Sequence, residues 1–299
     1  MSFSERPRIF ASCHNHSVFS DGDYTPEHMV RMAYSIGHGG YILTDHDTVK
    51  GTYFAEKEAR KWGLKAILGC EFSTYHNGSG VHLLGFDFNP DNKLMKELLD
   101  FGSSIQTSRS RLMFEWGQER GTLRSGCTWQ DVLDDFPYND YICNNQVFAA
   151  MKKRGIYQHS EYSEFLMNNF SHKLGLEDKV YEATGKSYKQ VDTERVVKTI
   201  LAAGGVPVVA HPHGRQSMTD DFLKMGVMGF ETRHPDLNRA DFEYYEALCE
   251  ERGLYKMGGM DHSGVLGGNM EHSVNFTCEY EMSGVLEEDF MKIYERRLG

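Results

Sequence analysis

No stretch of this chain is long and apolar enough to cross a membrane. That takes about 18 consecutive apolar residues, and runs such as Val206–Ala210 are far shorter. No apolar h-region stands in Met1-Ser2-Phe3-Ser4-Glu5-Arg6, so no secretory leader is expected and the protein is expected to be cytoplasmic. Positive charge is scarce: 32 Lys and Arg face 43 Asp and Glu, a net −11. Long duplex nucleic acid is held by clustered Lys and Arg and is therefore not an expected partner. A small phosphorylated substrate remains possible, provided that metal ions supply local positive charge. Cysteines 13, 70, 127, 143, 249 and 278 form no C-x-x-C pair, which excludes a zinc ribbon or disulfide framework and leaves reduced, buried thiols.

What remains is an ordinary globular composition, 40% hydrophobic and 25% charged, which rules out disorder, collagen and coiled coil. At 299 residues the chain suits one large domain, or one domain carrying an insertion. Thr25-Pro26-Glu27 starts a helix, with Thr as N-cap and Pro at the first helical position, and Gly37 stops it. Strands are predicted at 41–44, 66–68, 81–86, 206–210, 228–231 and 255–257, with helices at 52–62, 193–203, 220–225 and 238–251. Repeated strand–helix units with buried apolar strands predict a parallel sheet, open or closed into a barrel. Residues 92–190 carry helical spacing only, over 94–119, 147–153, 160–169 and 176–183. They predict a helical insertion over the end of the sheet, and Leu112–Trp116 is expected to be helix core.

Histidine is the unusual component. Fourteen are present, concentrated near glycine-rich turns and short apolar runs, as a metal enzyme would need. In Cys13-His14-Asn15-His16-Ser17, strand alternation puts His14 and His16 on one face, about 6.6 Å apart along the strand. Asp21 follows in a turn. Asp45-His46-Asp47 closes an apolar run, where ligands of α/β folds gather. Its two carboxylates suit either orienting the imidazole or capping the next helix. The pattern recurs at Gly69-Cys70-Glu71, at Val81-His82, at Ala210-His211-Pro212 and at Met260-Asp261-His262. Each has a structural reading alone, but together they point to a multinuclear site of N and O ligands at one rim of the sheet.

In this order, these segments resemble the PHP family, named for polymerase and histidinol phosphatase. The resemblance spans residues 8–90 and 195–265 and is closest to stand-alone metal-dependent phosphoesterases. It implies an α/β fold, a distorted (β/α)₇ TIM-like barrel from residues 1–91 and 191–299, with the helical insertion 92–190 capping the active site. It further implies two to three divalent ions, Mn, Fe or Zn. His14, His16, Glu71 and Asp261 would bind one ion. Glu71, His82 and His211 would bind a second, with Glu71 bridging, and Asp21, His46 and His262 a third. Two departures stand out. Asp261 and His262 are adjacent, where the family usually has Gly-Ser-Asp-x-His. Asn144-Asn145-Gln146 stands where many relatives carry Arg-Pro-His.

The expected activity is hydrolysis of phosphate esters of small nucleotides or short oligonucleotide ends by a metal-activated hydroxide, without a protein nucleophile. Arg233 and His234 are expected to touch the phosphate, with Arg109, Arg111 and Arg215 as weaker candidates. The alternatives are an amidohydrolase-like C–N hydrolase and a non-catalytic metal-stabilised module.

Overall fold

The structure, a computed structural model, describes residues 8–261 and 283–296. Strands β1 (Ala11–Ser12), β2 (Gly40–Tyr41) and β3 (Lys65–Ala66) form one parallel sheet in that order. A second sheet runs β4 (Gly69–His76), β5 (Ser79–Phe86), β6 (Val206–Val209), β7 (Gly229–Arg233) and β8 (Tyr255–Gly258). The pairs β6/β7 and β7/β8 are parallel, as expected. The pairs β4/β5 and β5/β6 are antiparallel, which corrects the all-parallel expectation. The cause is local. Asn77 (φ 48°) and Gly78 (φ 82°) join β4 to β5, and a two-residue loop with both residues left-handed makes a hairpin, never a parallel crossover.

The two sheets meet at two seams, one between the segment after β2 and the start of β4 and one between the segment after β1 and the end of β8, through a few backbone hydrogen bonds. At one seam the Glu71 N–H donates to Thr44 O (3.2 Å) and the Asp47 N–H to Glu71 O (2.8 Å). At the other, the Cys13 N–H donates to Gly258 O (3.1 Å) and the Asp261 N–H to His14 O (2.9 Å). The ladders do not continue across these seams, so the architecture is α/β with two abutting sheets rather than one continuously bonded ring.

Helix α1 (Pro26–Ser35) begins as expected, with the His28 N–H donating to Thr25 Oγ1 at 3.3 Å. Helix α2 (Lys50–Trp62) ends at left-handed Gly63. Residues 92–190 contain no strand. They hold the 27-residue α3 (Lys93–Glu119), α4 (Trp129–Asp135), α5 (Asn144–Lys153), α6 (Tyr162–Asn169) and α7 (Glu177–Thr184). Helix α4 was not among the expected helices. It is announced by Thr128-Trp129-Gln130-Asp131, whose capping box satisfies two end N–H groups reciprocally. This segment has its own apolar core, in which Met113, Phe114, Val147, Phe148, Phe165 and Phe170 are buried together. Beyond it lie α8 (Thr193–Ala202), α9 (Thr219–Met225), α10 (Arg239–Arg252) and α11 (Glu287–Arg296).

Strand alternation then decides which side chains meet. On one face of the large sheet Phe72, Leu83, Val209 and Phe230 pack with Val197, Phe222 and Tyr245 from α8, α9 and α10. On the other, Leu84, Phe86, Val206, Val208 and Met257 pack with Ala11, Ile42 and Phe290. Glu71, His82 and Glu231 fall in register with this second set, at one end of its apolar floor. His82 stands early in β5 rather than at its end because β5 runs the opposite way.

Candidate metal centre

Glu71 is the hub. Its carboxylate is 1% exposed. Oε2 lies 3.1 Å from His14 Nε2, 3.2 Å from His16 Nε2 and 3.2 Å from His46 Nδ1. Oε1 lies 2.9 Å from His82 Nδ1 and 3.2 Å from His211 Nε2. Asp261 Oδ1 joins from the far seam, 2.8 Å from His16 Nε2 and 3.6 Å from His14 Nε2. Asp21 stands outside this ring, Oδ1 3.4 Å from His16 Nδ1 and Oδ2 3.9 Å from His46 Nε2. Eight of the nine expected ligands therefore converge. The ninth, His262, lies outside the described residues.

Several of these buried atoms lack hydrogen-bond partners: His14 Nε2, His16 Nε2, His46 Nδ1 and Glu71 Oε2. Native interiors rarely leave such atoms unsatisfied. Four of them crowding one point within about 3 Å is what a cation between them would resolve, and N/O donor sets of this kind suit Mn, Fe and Zn. The groupings His14/His16/Glu71/Asp261, His16/Asp21/His46 and His46/Glu71/His82 each bring ligand atoms within 4.8 Å of one another. The residues fit divalent ions.

Electrostatics follow from the crowding. Burial disfavours charge on His14, yet Glu71, Glu231 and Asp261 raise its pKa well above the ordinary value. His16 is raised likewise against burial, by Asp21 and Asp261 with Glu71. For Glu71 burial opposes ionisation, but His14, His46 and His82 hold the carboxyl well below the usual range. His46 goes the other way, lowered by burial to about 4. His211 and Asp261 adopt left-handed backbone, φ 28° and 48°, a costly conformation that non-glycine residues keep where a site requires it.

The flanking aspartates do neither of the jobs expected of them. Asp45 accepts from the Ser17 N–H (2.7 Å), Ser17 Oγ (2.8 Å) and Ser20 Oγ (2.7 Å), bracing the loop that carries Asp21. Asp47 accepts from the Ser73 N–H at 3.2 Å. Helix α2 starts without a side-chain cap. That same loop is gripped by residues 139–146. Asn139 Nδ2 and Gln146 Nε2 donate to Val18 O, Gln146 Nε2 also donates to Ser20 O, and Asn145 Nδ2 donates to Asp21 O. The neutral amides of Asn145 and Gln146 thus hold backbone.

Arg233 sits on the α10 side of β7. It pairs with Glu246 at 3.1 Å and lies over the Phe242 ring, while its neighbour Glu231 faces the histidines. A β-bulge between Glu231 and Arg233 separates their directions. His234 does join the cluster, its ring 5.3 Å from that of His211 and 5.5 Å from that of His14. The Asp236 N–H donates to His234 Nδ1 at 3.1 Å, so the neutral ring carries its proton on Nε2, making it a donor rather than a ligand. The weaker arginine candidates are occupied elsewhere: Arg109 by Phe170 O and Glu177, Arg111 by Glu115, and Arg215 by Ser79 Oγ and Gly80 O.

Glu231 was not among the expected site residues, although it ends an apolar strand just as Glu71 begins one. Its carboxylate is fully buried and lies 3.0 Å from His14 Nδ1.

Comparison with known proteins agrees with this geometry. A family model described as the PHP domain matches residues 12–189. A 5'-3' exoribonuclease of Haemophilus influenzae is 28% identical over 73% of this chain and 74% of its own length. A phosphoribosyl 1,2-cyclic phosphate 1,2-diphosphodiesterase of Eggerthella lenta is 25% identical over 85% of this chain and 94% of its own. A 3',5'-nucleoside bisphosphate phosphatase of Chromobacterium violaceum is 25% identical, covering 83% and 85%. Among solved structures, a candidate metal-dependent phosphoesterase from Bifidobacterium adolescentis superposes with TM-score 0.71 at 23% identity over 98% of each chain.

Proposed function

The chain belongs to the PHP-domain family, and from that premise and the ring of five imidazoles around Glu71 we propose that it is a metal-dependent phosphoesterase. Its substrates are phosphate esters of small nucleotides or the ends of short oligonucleotides. The observation that carries this reading is the convergence of His14, His16, His46, His82 and His211 on one buried carboxylate. The related exoribonuclease, cyclic phosphodiesterase and bisphosphate phosphatase all act on phosphate esters, and they frame the substrate class.

Two or three divalent ions, Mn, Fe or Zn, would supply Lewis acidity toward the phosphate and acidify a water at neutral pH. His14, His16, Glu71 and Asp261 would hold one, Glu71, His82 and His211 a second, and Asp21 with His46 a third, its remaining expected ligand, His262, lying outside the described residues. Arg233 is tied to Glu246, so these ions would be the principal counter-charge for a phosphate dianion at the rim. His234, whose Nε2 lies 3.8 Å from Asp261 Oδ2, is the remaining expected phosphate contact within the cluster. Residues 92–190 form the cap, and their amides fix the Asp21 loop beneath it. We take residues 1–91 and 191–299 as the body, for which the resemblance implies a distorted (β/α)₇ barrel. A C–N hydrolase of the amidohydrolase kind places a carboxylated lysine at the bridging position, where this chain has Glu71.

The test is a product screen on metal-reconstituted protein over nucleoside monophosphates, bisphosphates and 5'-phosphorylated oligonucleotides. Phosphate or mononucleotide release that disappears with a chelator is the expected result. Amide hydrolysis with inert phosphate esters would overturn the proposal.

A further inference from the structure

We propose that Glu231 is a positioning residue that aims two metal ligands, His14 and His211, from outside the ion-binding shell. The proposal rests on the metal reading above. Glu231 Oε2 lies 3.0 Å from His14 Nδ1, and the same oxygen accepts the backbone N–H of His211 at 2.7 Å. His14 therefore gives its Nδ1–H to Glu231, which leaves the lone pair on Nε2, the atom that faces Glu71 and Asp261. At His211 the bond pins a residue whose φ of 28° is otherwise unfavourable. The two rings lie stacked, 5.7 Å apart and 19° from parallel.

The carboxylate is completely buried with no lysine or arginine paired to it among the described residues. A buried charge survives only when it is paired and hydrogen-bonded, and Oε2 is held by His14, the His211 N–H and, at 4.0 Å, His234, while Oε1 makes no hydrogen bond among the described residues. A carboxylate behind a metal-bound histidine fixes the ring's tautomer and raises its basicity, and its loss typically weakens metal binding by about 10- to 100-fold. β7 supplies this carboxylate by alternation: Phe230 enters the apolar core while Glu231 enters the site.

The experiment is a competitive chelator titration with Zn²⁺ or Mn²⁺ on the full-length protein, for wild type and Glu231→Gln. Metal stoichiometry is measured at saturation, and visible spectra are taken of the Co²⁺-loaded forms. Glutamine can still accept both N–H groups, so the variant should fill to the wild-type stoichiometry with about 10- to 100-fold lower affinity and an altered Co²⁺ spectrum. Equal affinities and spectra would overturn the proposal. So would loss of a full equivalent at saturation, which would make Glu231 itself a ligand. Failure of the wild type to bind any of these ions would overturn the metal reading, and this inference with it. Should Glu231→Gln not fold, Glu231→Asp, which keeps the charge but withdraws it by one methylene, is expected to weaken binding, and unchanged affinity there would overturn the proposal.

Discussion

Glu71 can serve five imidazoles because its two oxygens face different elements. Oε2 looks toward the segments following β1 and β2, and Oε1 toward β5 and the turn after β6. Replacing it with glutamine keeps the shape but puts an NH₂ donor against one of these groups of ring nitrogens and removes the charge that balances them. Glu71→Gln is expected to abolish phosphoesterase activity and to lower bound metal by more than one equivalent, measured by elemental analysis. Unchanged metal content would remove the bridging assignment. The sequence made this set of ligands visible because most of them stand in short segments next to a glycine, a proline or an apolar run. Arg233 and Glu231 were the harder pair. Nothing local says that a bulge turns Arg233 toward Glu246, which lies a helix away on α10, and so the expected phosphate contact and the unexpected carboxylate lie on opposite sides of one strand.

At the scale of elements, helix periodicity and caps located most of the helices, since those signals are short-range. The strand directions were less legible: Asn77-Gly78 is a strong hairpin signal, yet the regular strand–helix rhythm around it masked the turn. Packing between α3 and the Asp47 turn could not be read from sequence at all. A Cβ on Gly102 would lie 2.7 Å from Asp47 Cγ, whereas one on Gly80 would meet nothing within 4 Å. Overpacking of this kind costs about 1–3 kcal/mol, so Gly102→Ala should lower the unfolding free energy by about that much in denaturant titrations, with Gly80→Ala as the near-neutral control. Equal stabilities would show that α3 can retreat without penalty. Helix α5 permits a second check. Asn145 links the Tyr162 hydroxyl of α6 to the backbone of Asp21, and removing it leaves a partly buried carbonyl unsatisfied, a loss of about 1–3 kcal/mol. Asn145→Ala should therefore lower stability by that amount and deplete metal held with Asp21. A variant with wild-type stability and wild-type metal content would mean that water replaces the amide at no cost.

For the molecule as a whole, the cluster makes stability depend on pH in a way that metal should invert. His14, His16 and His211 have pKa values raised above the ordinary histidine value, by neighbouring carboxylates acting against burial. Burial pushes Asp47 up to about 7. Groups with raised values contribute stability that is fully present below their unfolded pKa and lost as pH climbs through the folded one. Glu71 and Asp261 are depressed by their histidines, so their contribution is present above about pH 4 and lost as pH falls below it. Burial lowers His46 and His234 to about 4 and His38 to about 3, and their contribution is lost as pH falls below about 6.5. Metal-free protein should therefore be most stable near neutrality, at about pH 6 to 7, and lose on the order of a few kcal/mol as pH rises toward 8. That corresponds to a fall of several degrees in Tm. Divalent ions demand deprotonated ligands and compete with the same protons, so the gain in Tm on adding Mn²⁺ or Zn²⁺ should grow over this interval. Thermal melts at pH 6, 7 and 8, in chelator and in saturating metal, read both slopes. A chelated protein whose Tm rises from pH 7 to pH 8, or a metal-induced gain that shrinks, would mean that these buried histidines do not share charge with Glu71 and Asp261 as the geometry requires.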